Sequence, residues 1–323
     1  MVTDTMHILS HTRAAISALL VFFLLSGCTK KPVVENTPPS TVPETTCTVP
    51  VIPETTAPAP ATVPTEPAVQ PEPLPQREPS PEELVRVRDY IPGIFQELPY
   101  ATEDNFTGQV IYSFSDAYLR YGTVQKLSAV QQALLDTGLS LKIWDGFRPV
   151  SAQFRLWEIC PDPTYVSDPT VGYSSHSRGN TVDITLVDAE GQELEMPTGF
   201  DDFTSLADRD YSDCSQTAAN NALYLQELME SAGFTGYWGE WWHFSDTVRY
   251  EVAQSFSPME PTDATVEAAD AVPFLSQPDL ESPILAWITP GEAVTLRATE
   301  GDFSLADYRG TWGYVPTRYI QTN

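Results

Sequence analysis

The stretch Ser174-Ser175-His176-Ser177-Arg178-Gly179-Asn180-Thr181-Val182-Asp183-Ile184-Thr185-Leu186 decides how the chain reads. Val182, Ile184 and Leu186 alternate with Asp183 and Thr185, the period of a strand with one apolar and one polar face. Asp183 is expected to point away from the packed side, and Gly179 permits a turn that brings His176 back towards it. A second segment, Gly239-Glu240-Trp241-Trp242-His243, carries the other histidine. The chain holds four histidines, and His7 and His11 fall in a leader expected to be removed, which leaves His176 and His243 in the mature protein. Two His and one carboxylate, with a fourth position open to water, form a standard catalytic zinc set. Asp183 supplies the carboxylate in this reading. Taken singly, His176 and Asp183 also fit a surface histidine beside a solvated aspartate on an edge strand.

Glu240 is the candidate general base, because a water activated by a metal needs a carboxylate close by to take its proton. Residues i and i+3 of an ideal strand face opposite ways. Glu240 and His243 therefore share a site only if the segment bends or bulges, and Gly239 just before them makes that feasible. The alternative is a glutamate at a strand end that meets solvent or pairs with an arginine.

Four segments in order carry a family resemblance: Tyr100-Ala101-Thr102-Glu103-Asp104-Asn105-Phe106-Thr107-Gly108, Trp144-Asp145-Gly146-Phe147-Arg148-Pro149, the stretch from Ser174 to Leu186, and Glu240-Trp241-Trp242-His243-Phe244-Ser245. Together they resemble the D-alanyl-D-alanine dipeptidases of the vancomycin-resistance type, zinc peptidases of the same superfamily as the bacterial D,D-carboxypeptidases. The resemblance spans residues 83–256. Thr181 departs from the small Ala usual in the broader superfamily, without touching a ligand.

The resemblance implies an α+β zinc D,D-peptidase domain with a small antiparallel sheet carrying the metal site. It implies His176, Asp183 and His243 as ligands of one Zn2+, Glu240 as base, and Arg148 as the stabiliser of the developing oxyanion. Asp201 matches the carboxylate that holds the substrate's free ammonium, and Ser174 and Tyr100 match substrate contacts. A planar, permanently charged guanidinium suits a tetrahedral anion, but Arg148 also fits an ion pair with Asp145. Asp202, Asp208 and Asp210 crowd the region of Asp201, and Ser174 and Tyr100 fit ordinary turn and core positions. The implied substrate is D-Ala-D-Ala or a related D,D-dipeptide. A D,D-carboxypeptidase trimming peptidoglycan stems is the second reading, and a non-catalytic wall-binding protein the third. Asp201 favours the dipeptidase, because a blocked peptide would leave its carboxylate unpaired.

At 323 residues the chain has room for more than one domain. Its net charge of −27, from 44 acidic and 17 basic residues, argues against nucleic acid as a partner, since phosphate neutralisation needs clustered Lys and Arg. The same charge disfavours electrostatic adhesion to anionic lipid or wall polymer. Residues 1–28 read as an export signal: Arg13 precedes an apolar run from Ala14 to Leu25 that is short for a bilayer span. Leu25-Ser26-Gly27-Cys28 resembles the lipobox of bacterial lipoproteins, which makes Cys28 the lipidated first residue; a plain membrane anchor is the alternative. Residues 29–82 read as a Pro/Thr-rich disordered stalk, with fifteen of the 29 prolines between Pro32 and Glu82 and Arg77 as the only basic residue there. This places the protein on the membrane facing the cell wall. Free D-Ala-D-Ala is a cytoplasmic precursor, so the location shifts the expected substrate towards D,D-peptides released in wall turnover.

In the catalytic region, Thr123 is a candidate cap for a helix carrying Leu127, Val130 and Leu134 and ended by Gly138, followed by a strand at Leu141–Trp144. A second helix carries Leu225, Leu228, Met229 and Ala232 and stops at Gly233. Cys160 and Cys214 are a possible disulfide outside the cytoplasm. Residues 257–271, rich in Pro, Asp, Glu and Thr, read as a linker. Residues 272–323 read as a small all-β domain, and the ending Trp312-Gly313-Tyr314-Val315-Pro316 resembles bacterial SH3-like modules. Such a module either contacts wall peptides or packs on the catalytic domain.

Overall fold

The computed structural model describes residues 72–322. The expected leader with Cys28, and the expected stalk up to residue 71, lie outside the described residues. In chain order the first part comprises β1 (Leu84–Arg86), α1 (Val87–Tyr90), β2 (Phe95–Gln96), β3 (Tyr118–Arg120), α2 (Tyr121–Leu135), β4 (Leu139–Asp145), α3 (Val150–Ile159), β5 (Thr181–Asp188), α4 (Gln216–Ser231), β6 (Phe234–Tyr237) and β7 (Glu240–Asp246). Helix α2 buries Val124, Leu127, Val130 and Leu134 at helical spacing. It begins at Tyr121, so Thr123 sits in the first turn instead of capping it. The Thr123 hydroxyl donates to Asp246 Oδ2 at 2.9 Å, which ties α2 to the end of β7. Helix α4 is capped by Ser215, whose Oγ accepts from the Ala218 amide at 3.1 Å. It buries Leu225 and Met229 and ends before Gly233.

Five strands lie side by side in the order β2-β4-β5-β7-β6. The pairs β4–β5, β5–β7 and β6–β7 are antiparallel, but β2 runs parallel to β4, so the sheet is mixed and not wholly antiparallel. The return from β2 to β4 passes through α2, the helical crossover a parallel pair requires. Asp145 stands opposite Asp183, and Asp183 opposite His243, so one row of polar residues crosses three strands. Val182, Ile184 and Leu186 enter the core with Leu127, Leu225 and Met229. The polar side of β5 is covered as well: Asp183 is only 3% exposed and Thr185 is fully buried.

The second part comprises β8 (Phe256–Val266), β9 (Val272–Leu275), β10 (Ile284–Ile288), β11 (Ala293–Glu300), β12 (Phe303–Tyr308), β13 (Thr311–Pro316) and β14 (Ile320–Thr322). They form a seven-stranded sheet in the order β10-β9-β13-β12-β11-β8-β14, with every pair antiparallel. The expected linker at 257–271 is therefore a strand as far as Val266, between β11 and β14. Its prolines fit because the register slips: Pro258 stands opposite Ala298 and Thr262 opposite Leu296. Pro261 falls in the resulting bulge, where its nitrogen owes the ladder no hydrogen bond.

Residues 72–82, expected in the stalk, are also held on the folded body. The Leu74 amide donates to the Arg309 carbonyl at 3.3 Å, Arg77 Nε donates to the Trp312 carbonyl at 3.0 Å, and the Arg77 guanidinium pairs with Glu83. The one basic residue of that stretch is what anchors it. Cys160 and Cys214 are free thiols, not a disulfide. Cys160 ends α3, and the Cys214 sulfur turns to the Tyr211 carbonyl at 3.5 Å within its own loop. Among the described residues no helix is long and apolar enough to cross a membrane.

A separate apolar cluster joins the two parts: Leu84 and Tyr118 from the antiparallel pair β1–β3 and Phe147 from the loop after β4 meet Phe256, Leu275, Ala298, Leu305 and Tyr314 from the second. The Phe256 ring lies 5.5 Å from Phe147 and 5.6 Å from Tyr118, both edge-on. Phe256→Ala removes both contacts and leaves a cavity, at an expected cost of about 3–5 kcal/mol in urea unfolding. A loss below about 1 kcal/mol would show the seam to be loose.

Candidate active site

The row Asp183–His243 comes from adjacent strands, whose directly opposed side chains share a face. His243 Nδ1 lies 3.1 Å from Asp183 Oδ1. His176 arrives from the turn Ser175–Arg178, which Gly179 closes at φ 74°, a conformation that favours glycine. Its Nε2 lies 3.4 Å from Asp183 Oδ2 and 3.3 Å from His243 Nδ1. The other His176 nitrogen, Nδ1, lies 2.8 Å from the Gly146 carbonyl. A carbonyl only accepts, so Nδ1 carries the proton and Nε2 presents its lone pair to Asp183 and His243.

These residues fit a zinc ion. Their three donor atoms lie within 4.8 Å of one another, and two imidazoles with one carboxylate leave a fourth position open. Asp183 Oδ1 is buried with no hydrogen-bond partner, despite its short distance to His243. A buried, unpartnered carboxylate oxygen among donor atoms is the state a metal ion would satisfy. Burial opposes ionisation of Asp183, but positive charge beside it, from the two imidazoles when they are protonated or from a bound cation when they are neutral ligands, holds the carboxyl well below the usual range.

Glu240 joins the site through a bulge. Gly236 pairs with Phe244, but the next residue, Tyr237, pairs with Glu240, so Trp241, Trp242 and His243 bulge out of the β6–β7 ladder. Glu240 Oε2 thereby comes within 3.5 Å of His243 Nδ1. Burial raises the Glu240 carboxyl above its ordinary range, opposed by the charge of His243 and reinforced by that of Asp183.

Arg148 makes the ion pair with Asp145 and still lines the cleft. Its Nη2 donates to Asp145 Oδ2 at 2.6 Å, and its Nη1 to Gln153 Oε1 at 3.0 Å. Asp145 is fully buried and also accepts from the Tyr112 hydroxyl at 2.7 Å. The guanidinium lies 5.3 Å over the Tyr100 ring. Sequence reasoning missed Tyr112 and Gln153 as the residues that fix this arginine. The legible signal was Gln153, a glutamine on the buried face of α3 beside Ala152 and Leu156.

The Tyr100 hydroxyl donates to Asp201 Oδ2 at 2.6 Å. Asp201 sits at φ 54°, strained backbone for a non-glycine residue of the kind found at functional sites. Burial lifts its carboxyl to about 8, with the Tyr100 hydrogen bond opposing and the Asp183 charge adding. Ser174 caps the His176 turn, its Oγ accepting from the His176 amide at 3.3 Å. A cleft of about 300 Å³ brings together Tyr100, Arg148, Ser174, Asp201 and Glu240 with the His176–Asp183–His243 trio. That volume is at the small end for ligand sites. Asp202, Asp208 and Asp210 do not line it.

The family described as D-ala-D-ala dipeptidase matches residues 80–260. The D-alanyl-D-alanine dipeptidase of Escherichia coli (strain K12) is 40% identical over 162 residues, covering 50% of this chain and 83% of that one. The protein of the same name from Enterococcus faecalis (strain ATCC 700802 / V583) is 31% identical over 177 residues, covering 48% and 87%. That from Streptomyces coelicolor is 32% identical over 183 residues, covering 49% and 89%. With that match over more than half its length, the chain belongs to the M15 peptidase family of D-Ala-D-Ala dipeptidases.

Proposed function

We propose that this chain, a zinc-dependent hydrolase of D-Ala-D-Ala and related D,D-dipeptides, works in cell-wall peptide turnover with Glu240 as its base and Arg148 as its oxyanion partner. The observation that carries this reading is the single cleft shared by the ligand trio, Glu240, Arg148 and Asp201. His176, Asp183 and His243 would hold the zinc, which when bound would supply Lewis acidity for the scissile carbonyl and for the ionisation of water. Glu240 takes the proton of the attacking water and hands it to the leaving amine. A carboxyl raised by burial suits both tasks, because it holds a proton more readily than a solvated one. Arg148, fixed by Asp145 and Gln153, directs a permanent positive charge at the negative charge developing on the carbonyl oxygen. Asp201 receives the free ammonium of the dipeptide, and Tyr100 orients its carboxylate.

The sequence supports a setting for this activity: an exported lipoprotein anchored at Cys28, with the proline-rich segment as a spacer from the membrane. The all-antiparallel seven-stranded sheet and its Trp312–Pro316 strand support an SH3-like module that contacts peptidoglycan.

The purified protein is tested by zinc-dependent release of D-Ala from D-Ala-D-Ala and, in parallel, from an N-acylated stem peptide ending in D-Ala-D-Ala. Cleavage of the free dipeptide alone is expected. Cleavage of the blocked stem would move the chain to the carboxypeptidase class, and release from neither would refute the reading. Glu240→Ala is expected to keep its zinc and lose about 10²–10⁴-fold in kcat. His176→Ala and His243→Ala lose the metal itself, as read by zinc content.

Asp201 sets a pH dependence. It binds an ammonium only when ionised, and its carboxyl titrates near 8, a ceiling once zinc offsets the Asp183 charge. KM for the free dipeptide is therefore expected to rise as pH falls from about 8, most clearly below about 7, where the substrate amine is essentially all protonated and only the loss of the Asp201 charge remains. In Asp201→Asn the KM is higher throughout and this acid limb disappears. An unchanged limb would remove Asp201 from ammonium binding.

A further inference from the structure

Arg209 lies in the loop before α4 and is the only Lys or Arg between Arg178 and Arg249. Its neighbours Asp208 and Asp210 suggest a surface ion pair. Instead the residue is only 9% exposed, and its side-chain partners are all neutral. Nε donates to the Tyr237 carbonyl at 2.8 Å, and Nη2 to the carbonyls of Trp241 and His243, both at 3.0 Å. Nη1 donates to Gln226 Oε1 at 3.1 Å and to the Tyr211 hydroxyl oxygen at 3.5 Å. Its main-chain amide donates to the Trp238 carbonyl at 3.0 Å. The guanidinium also lies 4.4 Å over the Phe244 ring.

Burying a cation among neutral groups is costly, so this placement calls for a physical reason. The bulge supplies it. Trp241 and His243 belong to the segment that bulges out of the β6–β7 ladder, and Tyr237 marks the register slip. A disrupted ladder leaves main-chain groups short of partners, and buried carbonyls must find them elsewhere. A guanidinium is a planar fork of five N–H donors, able to serve several carbonyls at once; a lysine ammonium is a point donor. Gly236 completes the seat, because a Cβ there would lie 2.3 Å from Arg209 Cζ.

We propose that Arg209 is a positioning residue for the peptidase reaction: it holds the β6–β7 bulge in the shape that puts Glu240 and His243 into one site. The inference rests on the roles given to those two residues above. Arg209 does not line the cleft and acts through the carbonyls of Trp241 and His243.

The test uses the full chain with Arg209→Met, Arg209→Lys, Gly236→Ala and the double variant Gly236→Ala/Arg209→Met. Arg209→Met is expected to lower kcat on D-Ala-D-Ala at least about tenfold with KM within about threefold, the split of a group that serves the transition state. It is also expected to surrender zinc to a chelator faster than the unmodified chain, because His243 is no longer held. Arg209→Lys is not expected to rescue either property. Gly236→Ala lowers kcat by displacing the guanidinium, so it is expected to add little in the Arg209→Met background, whereas independent effects would multiply. A folded Arg209→Met variant with kcat within about twofold of the unmodified chain overturns the proposal, as does full additivity of the two substitutions. Should Arg209→Met fail to fold, Gly236→Ala carries the test with the same limits on kcat and KM. An unmodified chain inactive on every D,D-dipeptide would refute the function itself. The chelator measurement would then still decide on Arg209, and unchanged zinc release would overturn its role.

Discussion

An extended strand turns its side chains over at every residue, and this site depends on one strand that does not keep to that rule. Asp183 and His243 share a face simply because they oppose each other on β5 and β7. Glu240, three residues before His243, belongs on the other face of a regular strand. The slip between Gly236 and Tyr237 brings it back, and from that slip follow the Glu240–His243 approach of 3.5 Å and the need for donors to the displaced carbonyls. The rest of the cleft is assembled around this point by turns. Gly179 folds His176 in, the Gly146 carbonyl fixes its tautomer, and the next residue but one, Arg148, faces the same space.

The second sheet is rooted in those same turns. The Phe147 side chain, between the Gly146 carbonyl and Arg148, packs on Phe256 at the start of β8. Three residues before Phe256, the Ala253 amide donates at 3.0 Å to the carbonyl of Ser177, in the His176 turn. Leu74 and Arg77 close the arrangement from the amino-terminal side by bonding to the same sheet. Any contact this sheet makes with the wall is therefore made by a surface packed against the catalytic domain, not by a module on a loose tether.

The chemistry was legible because it uses rare residues in a readable period. Two imidazoles remained once the expected leader was set aside, the alternation around Asp183 fixed its face, and the spacing of Glu240 and His243 itself demanded a bulge. What was not legible came from partners distant in sequence. The prolines of β8 read as linker because nothing local reveals that Pro261 sits opposite a register slip. Arg77 looked like an incidental charge in a stalk until Glu83 and the Trp312 carbonyl were seen to hold it. Thr123 had the chemistry of a cap, but Asp246 claims its hydroxyl. Cys160 and Cys214 suited a disulfide by compartment alone, and the fold leaves them as thiols.

One turn, the strand β5 and the bulged strand β7 bring the nitrogen and oxygen donors of His176, Asp183 and His243 together as the seat of one metal. Zinc-edge X-ray absorption on the purified chain tests it most directly. The expected first shell is nitrogen and oxygen at about 2.0–2.2 Å, with the outer-shell signature of two imidazole rings. A sulfur shell at about 2.3 Å would place the metal on a cysteine, and a shell without imidazole would place it outside the His176–Asp183–His243 trio. Either result would rule out a metal held by His176, Asp183 and His243.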